Sequence, residues 1–470
     1  MPDRLEEYLG TVREQVRWKR ARDGATQELR THLLDQRDAY LEQGMDEEAA
    51  TKESVRQMGD PVEVGVALDR VHRPKPQWGL LALVGVLLCM GYGAQLLLRD
   101  VALASPNNLE ETFYESRWLV GAVIGVVLLF AVYFLDYTLL ARRPLLCYWA
   151  GVLILIGVFN RSHRINGRYF EIQFWMLLAP VLLAVLIYAM RGKRWFGLLV
   201  SIGGSALLAG LALLIPNITI ALLVFGAGVL MTILSVWRGW MGLPVKRTMT
   251  GIGIFLFLFV LWLWACVVTS EYVSRRLHMA IDPAQDPLGY GYHALAVRSL
   301  LSDAKWIGQG DVTFMGYRSA ELMLPEIASS TLLTWVIHRL GWAAGIALIG
   351  VFVLLLGWMA RKALKHRGML GSLIALAVVF TLAVQVGSFV LFNLGLPLLG
   401  IISLPLVSYG HWAMLANMVL IGLALSVFRE ESLPVQNGKL QTRKQMPLTQ
   451  LIFWKDGDLV IGFSRLRQVR

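Results

Sequence analysis

Ten apolar segments, each long enough to cross a lipid bilayer, fill residues 78–428 of the chain. A helix needs about 20 apolar residues to cross a hydrocarbon core of about 30 Å, and backbone groups within lipid must form their hydrogen bonds internally. The segments are centred near Leu87, Val127, Ile154, Leu183, Gly204, Val224, Leu258, Ile346, Val378 and Leu420. The pattern therefore predicts an all-α polytopic membrane protein with ten transmembrane helices.

The connections between these segments differ in length and in charge. One polar connection of 60 residues, 271–330, separates the seventh segment from the eighth. The connections at 136–143, 191–195, 237–250 and 361–367 carry 12 Lys/Arg residues in 34 positions, whereas the alternate connections carry 10 in 113. Because positive charge marks the cytoplasmic side, we expect both termini in the cytoplasm and the 271–330 loop outside.

Composition agrees with a membrane protein. Apolar residues make up 56% of the chain and charged residues 16%, below the share of about 25% in a typical soluble domain. The three cysteines, Cys89, Cys147 and Cys266, lie far apart inside apolar segments. We interpret them as small core residues rather than as a disulfide or a metal site. Because residues 1–73 are polar, we expect no signal peptide.

The net charge of +11 does not indicate a nucleic-acid partner. Residues 1–73 carry −4 and the remainder of the chain carries +15, and the basic connections alternate along the chain as membrane topology requires. The chain lacks the G-x-x-x-x-G-K-[ST] loop of ATP-driven proteins and the H-E-x-x-H and G-x-S-x-G motifs. We therefore expect a membrane-bound protein with no nucleic-acid partner.

Residues 1–73 predict a small helical domain. Apolar residues recur at helical spacing over 5–16 and 29–40. Gly44 is a helix stop signal, and Asp60-Pro61 is typical of a cap followed by a first helical residue. The stretch around Asp60 resembles the helical prefix domain of permease-like proteins in some Gram-positive bacteria. We interpret 1–73 as a cytoplasmic module that binds a protein partner.

Two polar stretches flank the membrane segments. The linker 74–77 contains Pro74 and Pro76, which stiffen it. The tail, 429–470, is basic and contains Asp456-Gly457 between two apolar runs, which is a β-hairpin signal. We expect the tail to be cytoplasmic.

One outer connection departs from the charge rule. Arg161, Arg164 and Arg168 cluster after the third predicted helix. Guanidinium groups match the oxygens of phosphate, so one interpretation is a site for an anionic ligand. The other interpretation is contact with lipid headgroups at the membrane interface.

Two stretches resemble a known family of membrane proteins. Residues 400–410, with the sequence G-I-I-S-L-P-L-V-S-Y-G, are similar to the G-[IVL]-P-L-P-F-[IV]-S-Y-G-G-S signature of the SEDS proteins (shape, elongation, division and sporulation), the group of RodA, FtsW and SpoVE. The family's G-Y-Q, G-x-G, L-P-E and E-E-L-G elements are matched in order by residues 289–293, 308–310, 324–326 and 340–341. The resemblance covers about 78–428.

This resemblance implies a role in peptidoglycan synthesis in the bacterial plasma membrane. SEDS proteins polymerise lipid II, an undecaprenyl-diphosphate disaccharide-pentapeptide, usually beside a class B penicillin-binding protein. Such a substrate needs a lipid-facing groove, cations for the diphosphate and a carboxylate that helps the sugar hydroxyl attack. Arg164 is the position most similar to an arginine that the family carries in the same loop. No resident cofactor is implied, although a divalent cation at the diphosphate stays open.

The sequence departs from the family at its acid. The family has an Asp four residues after the Glu of L-P-E, and the corresponding residue here is Ser330. A serine without a nearby base accepts a proton poorly, and general-base catalysis contributes about 10²–10⁴-fold. The E-E-L-G element becomes residues 338–341, His-Arg-Leu-Gly, and Asn217 and His411 replace other polar family positions. These changes favour a catalytically degenerate relative that keeps the fold and binds the lipid.

Three ionisable residues have two interpretations each. Glu326 is the nearest acid to the family position, and it is either a displaced base or a structural charge at a helix N-terminus or beside an arginine. His338 and Arg339 would lie roughly 10–12 Å into an eighth helix that begins near Thr331. Ionisable residues at that depth face a cavity or a partner. We interpret them either as a diphosphate pocket or as side chains that extend to the interface.

The candidate site thus has two catalytic positions, Glu326 and Ser330, and a set of substrate-binding residues: Arg161, Arg164, Arg168, His293, Pro325, His338, Arg339, Ser408 and Tyr409. Three functions stay open. The favoured one is a non-catalytic SEDS-like protein that binds a lipid-linked precursor in division, cell shape or sporulation. The alternatives are an active lipid II glycosyltransferase with a displaced acid, and a flippase or transporter of the precursor.

Overall fold

The fold is described from a computed structural model. It describes residues 4–72, 76–103, 114–165, 168–215, 217–289, 291–312, 314, 316–317, 320–429, 452–455 and 458–461. The N-terminal helices and the membrane part, residues 75–431, form separate compact units.

Four helices build the N-terminal unit: α1 (Arg4–Gln15), α2 (Lys19–Glu42), α3 (Glu47–Met58) and α4 (Pro61–His72). Gly44 adopts φ 89° just after α2, a conformation that glycine takes without strain. The Asp60 carboxylate accepts a hydrogen bond from the Glu63 backbone N–H at 3.2 Å, where α4 begins. Both helix signals predicted from the sequence are therefore present. Linker residues 74–75 lie outside the described residues.

In the part of the chain that the structure describes, 10 helices are long and apolar enough to cross a membrane. We number them as spans one to ten: Trp78–Arg99, Ser116–Phe134, Pro144–Arg161, Glu171–Ala189, Arg194–Leu213, Ile218–Trp237, Val245–Trp262, Trp342–Lys365, Met369–Asn393 and His411–Arg429. Every predicted segment centre lies in one of these spans. The predicted all-α fold with ten membrane helices is confirmed, and the chain is a multi-pass membrane protein.

The first seven spans are carried by α5 (Trp78–Leu103), α6 (Tyr114–Phe134), α8 (Pro144–Arg161), α9 (Phe170–Trp175) with α10 (Ala179–Ala189), α11 (Arg194–Leu213), α12 (Ile218–Trp237) and α13 (Val245–Thr269). A short α7 (Leu139–Arg142) precedes α8. A 3₁₀ turn, Met176–Leu178, joins α9 to α10 within the fourth span.

The connection between spans seven and eight is largely helical. It contains α14 (Glu271–Ile281), a 3₁₀ turn (Pro283–Gln285), α15 (Tyr292–Ser302), α16 (Ala320–Met323) and α17 (Leu332–Leu340). Spans eight to ten are α18 (Trp342–Lys365), α19 (Met369–Asn393) and α20 (His411–Arg429). We call the side of the membrane unit that carries this connection the loop face.

The expected start of the eighth span near Thr331 is wrong. The span begins at Trp342, and the residues before it form the separate helix α17. The break lies at Gly341, whose φ of 101° ends α17 because a right-handed helix cannot continue through that conformation. The connection therefore extends to Gly341, about ten residues beyond the end that the hydrophobic pattern indicates. The pattern misplaces this end because the buried residues of α17 are nearly as apolar as a membrane segment.

Two short strand pairs complete the described elements. In the third connection, β1 (Arg164–Ile165) pairs antiparallel with β2 (Arg168–Tyr169). In the tail, β3 (Ile452–Lys455) pairs antiparallel with β4 (Asp458–Ile461), with Lys455 opposite Asp458. This pairing flanks the Asp-Gly pair that predicts a hairpin. The rest of the tail lies outside the described residues.

The membrane core is built from four spans. Spans four, six, nine and ten have most of their residues buried, whereas span seven is almost wholly exposed on its surface. Span nine contacts spans four, six, eight and ten. Its last residue, Asn393, reaches the loop face, so the centre of the bundle ends beneath the long connection.

Candidate functional site

Residues 325–331, which we call the Glu326 turn, join α16 to α17 on the loop face. The Glu326 carbonyl accepts hydrogen bonds from the backbone N–H groups of Ser329 and Ser330, at 3.0 and 2.9 Å. Glu326 itself adopts φ 50°, a left-handed conformation that is uncommon for residues other than glycine. Such strained residues cluster at functional sites when the surroundings hold them in place.

Ser330 and Glu326 are in direct side-chain contact. The Ser330 hydroxyl donates a hydrogen bond to Oε2 of Glu326, and the Ser329 hydroxyl donates to the same oxygen at 3.4 Å. Glu326 is exposed and Ser330 is half-buried. The sequence suggests that Ser330 has no nearby base. The structure differs, because the turn brings the solvent-accessible Glu326 carboxylate to the Ser330 hydroxyl.

Two groups from elsewhere in the membrane unit fix the middle of the turn. The Ala328 carbonyl accepts hydrogen bonds from the Tyr409 backbone N–H at 2.8 Å and from Nε2 of Gln95 at 3.2 Å. Gln95 lies in the first span and is 1% exposed. A buried polar group that satisfies a backbone carbonyl is costly to remove. Gln95 thus positions the turn from inside the membrane.

Asn393 joins the turn to α17. Its Nδ2 donates to the Ser330 carbonyl at 2.9 Å, and its Oδ1 accepts from the Thr334 backbone N–H at 3.0 Å. The Thr334 hydroxyl donates to the Asn393 carbonyl at 3.0 Å. The side chain of a span-nine residue therefore satisfies the first turn of α17, whose N–H groups would otherwise lack partners.

The other candidates from the retained motifs lie around the turn. Pro325 is exposed, and its carbonyl accepts the Thr331 hydroxyl at 2.8 Å. Ser408 is 3% exposed and donates to the Leu404 carbonyl at 3.0 Å, so it stabilises the loop before span ten. Tyr409 contributes its backbone N–H to the turn.

His293 lies in α15, within the connection, and packs beside the end of span nine. Its ring stacks on Phe392 with centroids 3.9 Å apart. Burial lowers the pKa of His293 to about 4, and a hydrogen bond to the Phe392 backbone opposes the shift. His293 is therefore neutral at physiological pH. Its neighbour Tyr292 donates to the Met323 carbonyl at 2.9 Å, and burial raises the pKa of Tyr292 to about 12.

His338 and Arg339 hold a second loop, residues 305–311, which we call the strap. His338 is 1% exposed, and its Nε2 contacts the Asp311 carbonyl at 3.0 Å. Arg339 donates to Oε1 of Gln309 at 2.5 Å. Four backbone hydrogen bonds add to these contacts, from Gly308 and Gly310 to α17 and from Trp342 and Ala343 to the strap. Both side chains are engaged with the strap rather than directed toward the Glu326 turn.

The arginine cluster follows the third span. Arg161 ends α8 and is exposed. Arg164 and Arg168 lie in β1 and β2, opposite Tyr169 and Ile165 respectively; their side chains lie outside what the structure describes. Glu171 fixes the hairpin base by accepting hydrogen bonds from the backbone N–H and from Nδ1 of His163, both at 2.9 Å.

The hairpin base lies next to the start of span ten. Trp175 in α9 contacts Trp412 in α20 with ring centroids 6.0 Å apart, and Trp412 follows the Ser408-Tyr409 segment closely in sequence. The structure thus brings together Glu326, Ser330, Pro325 and the backbone of Tyr409, and the arginine cluster follows α8, which packs against α9.

An exposed carboxylate with a hydroxyl hydrogen-bonded to it can accept a proton from a substrate hydroxyl that reaches it. The sequence pointed to Glu326 and Ser330 separately. It gave no signal for Asn393 or Gln95, apart from the rarity of amides in apolar segments.

The fold and this turn define a polytopic helical membrane protein with a structured connection between spans seven and eight. Residues 79–433 match the family model described as "Cell cycle protein" and labelled for FtsW, RodA and SpoVE. The chain therefore belongs to this family, the SEDS proteins.

Named relatives agree with this membership, and a solved structure shares the fold. The chain is 25% identical over 382 residues to the probable peptidoglycan glycosyltransferase FtsW of Trichlorobacter lovleyi, covering 77% of this chain and 96% of that protein. It is 25% identical over 380 residues to stage V sporulation protein E of Bacillus subtilis, with 74% and 96% covered. A solved structure of a peptidoglycan synthase complex that coordinates polymerization and crosslinking contains a chain with the same fold, at a TM-score of 0.58 and 24% identity, covering 76% of this chain and 98% of that one.

Proposed function

We propose that this protein is a peptidoglycan glycosyltransferase that acts at the outer face of the plasma membrane. We further propose that Glu326 supplies its catalytic carboxylate. The observation that carries the proposal is the hydrogen bond from Ser330 to Glu326. The family acid stands at position 330, and the bond brings a carboxylate oxygen within one contact of the side chain at that position. Geometry rather than sequence position defines a general base, so Glu326 is suited to the role.

The proposed reaction joins a sugar hydroxyl of one lipid-linked saccharide to the anomeric carbon of another. The carbon–oxygen bond to the diphosphate breaks, and the electron pair leaves with the polyprenyl diphosphate. The hydroxyl proton passes to the Glu326 carboxylate and then to solvent. Because Glu326 is exposed at the loop face, both the acceptor sugar and water can reach it.

The arginines after the third span are the proposed contacts of the diphosphate. Arg161 is exposed at the end of α8, and guanidinium groups bind phosphate oxygens in bidentate geometry. The reaction changes no oxidation state, so it needs no redox cofactor. A divalent cation would compete with these arginines for the same oxygens. The proposed protein partner is a class B penicillin-binding protein, as in the family.

A second candidate function is binding of the lipid-linked precursor without chemistry. It is supported by Ser330 itself, whose hydroxyl donates to Glu326 and thereby occupies one of the carboxylate oxygens. The strap contacts of His338 and Arg339 also support it, because these residues replace two acids of the family motif and serve the connection instead.

Glycan synthesis by purified protein separates the two candidates. Wild type, Glu326→Gln, Ser330→Ala and Asp311→Asn are incubated with lipid II, with and without a class B penicillin-binding protein, in Mg²⁺ and in EDTA. We expect polymer from wild type, loss of at least about 10²-fold in Glu326→Gln and a smaller loss in Ser330→Ala. Asp311→Asn is the matched control, since it removes an exposed acid of the same connection that contacts Lys305 at 3.5 Å.

An inactive wild type that still co-purifies with lipid II would favour the binding function. An active wild type with an unimpaired Glu326→Gln variant would assign the carboxylate to another residue. Equal activity in EDTA would support the reaction without a divalent cation.

A further inference from the structure

Two large apolar side chains project from the strap. Trp306 is 73% exposed and Ile307 is 81% exposed. They are adjacent in sequence and lie between two residues whose backbone is hydrogen-bonded to α17 or α18. Single exposed apolar residues are common on protein surfaces, but an adjacent Trp-Ile pair on a fixed loop is an exposed patch that calls for a partner.

The strap holds this pair in a defined position. The Trp342 N–H donates to the Lys305 carbonyl at 3.0 Å, and the Ala343 N–H donates to the Trp306 carbonyl at 3.1 Å. Gly308 closes the other side by donating to the Leu340 carbonyl at 3.0 Å. The backbone of the pair therefore has no freedom to withdraw its side chains into the protein.

Gly341 makes this close approach feasible. Its φ is 101°, and a Cβ built at this position would lie 2.4 Å from the Trp306 carbonyl oxygen and 2.7 Å from the Ile307 Cα. Any other residue would displace the strap. The backbone of the Trp-Ile pair thus packs directly against Gly341, the residue that ends α17.

The level of the pair in the membrane follows from the same bonds. Trp342 and Ala343 are the first residues of span eight, and the opposite end of that span carries Arg361 and Lys362. The ends of a membrane span lie at the two water–lipid interfaces. Because the Lys305 and Trp306 carbonyls bond directly to the first turn of span eight, Trp306 and Ile307 lie level with the loop-face end of that helix.

The surroundings of the pair match a lipid surface. Span eight continues below it with exposed apolar side chains at Ile346, Val353 and Leu354, which face lipid. Lys305 precedes the pair; 56% of its side chain is exposed, and its Nζ lies 3.5 Å from the Asp311 carboxylate. An aromatic and an aliphatic side chain beside a lysine is a composition found in segments at the headgroup boundary.

We propose that Trp306 and Ile307 insert into the boundary between headgroups and acyl chains of the leaflet on the loop face. The strap then connects the bilayer surface to α17 and, through α17, to the Glu326 turn. The partner is the lipid surface itself, with Lys305 at the level of the headgroups. This inference is independent of whether the protein polymerises glycan.

A depth measurement on the full chain tests the insertion. Cys89, Cys147 and Cys266 are replaced by Ala, and a nitroxide is attached to Ile307→Cys, to Trp306→Cys or to the control Asp311→Cys. Asp311 belongs to the same strap, and 79% of its side chain is exposed. The protein is reconstituted alone into discs of phosphatidylcholine with phosphatidylglycerol. The collision rates of the label with oxygen, which concentrates in lipid, and with a water-soluble nickel chelate are compared.

We expect a several-fold higher ratio of oxygen to nickel collisions at positions 306 and 307 than at 311. Equal ratios at all three positions would overturn the proposal and leave the pair free for a protein partner. Thermal unfolding of each labelled chain, compared with the cysteine-free parent, shows whether the fold is intact. Because positions 306 and 307 are labelled separately, a single perturbed variant does not decide the result.

Discussion

Gln385 in span nine and Asn417 in span ten exchange two side-chain hydrogen bonds, at 3.0 and 3.2 Å, and both residues are fully buried. Asn417 also donates to the Ala413 carbonyl of its own helix at 2.9 Å. Amide pairs between membrane helices are worth about 0.6 kcal/mol on average and up to about 1.7. This pair holds together the two spans that flank the Ser408-Tyr409 loop.

Replacing Asn417 by Leu should therefore destabilise the membrane unit by about 0.5–2 kcal/mol, because the Gln385 amide is left unpaired in an apolar core. The combined Gln385→Leu and Asn417→Leu variant should be more stable than the sum of the single changes predicts, since no orphaned amide remains. Thermal unfolding in detergent, read as a double-mutant cycle, measures the difference. Strict additivity would mean that the two amides do not interact.

The Glu326–Ser330 contact predicts an unusual result for Ser330→Asp. Two carboxylates one contact apart cannot both ionise easily, so the single change should leave one acid protonated and move the activity optimum to higher pH. Ser330→Asp combined with Glu326→Gln carries one carboxylate, at the family position. We expect this double variant to polymerise more glycan than Glu326→Gln alone. Equal inactivity of both would show that position 330 no longer faces the substrate.

Asn393 should contribute more to the stability of the Glu326 turn than its place at a helix end suggests. Asn393→Leu leaves the Ser330 carbonyl and the Thr334 N–H without their side-chain partner, which costs about 1–3 kcal/mol when such groups are buried. Ser388→Ala is the matched control, because Ser388 is buried in the same helix and donates only to the Gln385 carbonyl at 3.1 Å. Unfolding midpoints of the two variants give the comparison. A larger shift in the control would contradict this assignment.

His293 predicts a loss of stability in acid. Its pKa is lowered to about 4 by burial, whereas an unfolded histidine titrates near pH 6.5. Above pH 6.5 both states are neutral; between 6.5 and 4 only the unfolded state binds the proton, so stability falls as pH falls. From pH 7 to pH 5 the loss is on the order of 2 kcal/mol, at 1.36 kcal/mol per pKa unit.

His293→Phe should remove this part of the pH dependence and keep the stacking on Phe392. Unfolding midpoints between pH 7 and pH 5 test this. His32→Gln, at an exposed position of the N-terminal unit, is the control for the loss of a histidine elsewhere in the chain. A His293→Phe profile as steep as that of wild type would count against the burial argument.

Tyr8 gives a test of the N-terminal unit. Its hydroxyl is buried without a hydrogen-bond partner in the described residues, and burial raises the pKa of Tyr8, with a smaller contribution from Asp60. Tyr8→Phe should be neutral or should stabilise the unit by up to about 1 kcal/mol, since no bond is lost and a polar group leaves the core. Stability is measured from the loss of the helical circular-dichroism signal on heating. A clear destabilisation would mean that the hydroxyl is hydrogen-bonded in solution.

The elements that depend on local pattern could be predicted from the sequence. The ten spans follow from uninterrupted apolar runs, and α4 follows from the Asp60-Pro61 pair. The start of span eight could not be predicted in this way. Residues 332–338 are buried against protein on all sides, and a helix buried in protein has the same apolar composition as one buried in lipid.

The site could be predicted only in part, because its contacts join residues far apart in sequence. Position 330 could be singled out by comparison with the family motif, but the carboxylate beside it depends on the left-handed φ of Glu326. Gln95 and Asn393 reach the turn from spans one and nine. No pattern within either span indicates that contact. The predicted depth of His338 within the eighth span was wrong, because α17 ends before that span begins at Trp342. The bond of His338 to the Asp311 carbonyl could not be predicted, because it requires the folded strap.

The contact of Asn393 with the Ser330 carbonyl makes the bilayer itself a variable in the proposed reaction. Asn393 is the last residue of span nine, so a change in the tilt of that helix moves the Glu326 turn with it. A displacement of about 1 Å at a reacting group can cost about 10²-fold in rate. A span tilts when the membrane is thinner than its apolar length, and a thicker membrane thins around it. Glycan synthesis by this protein should accordingly vary with acyl-chain length in reconstituted membranes, at constant substrate concentration.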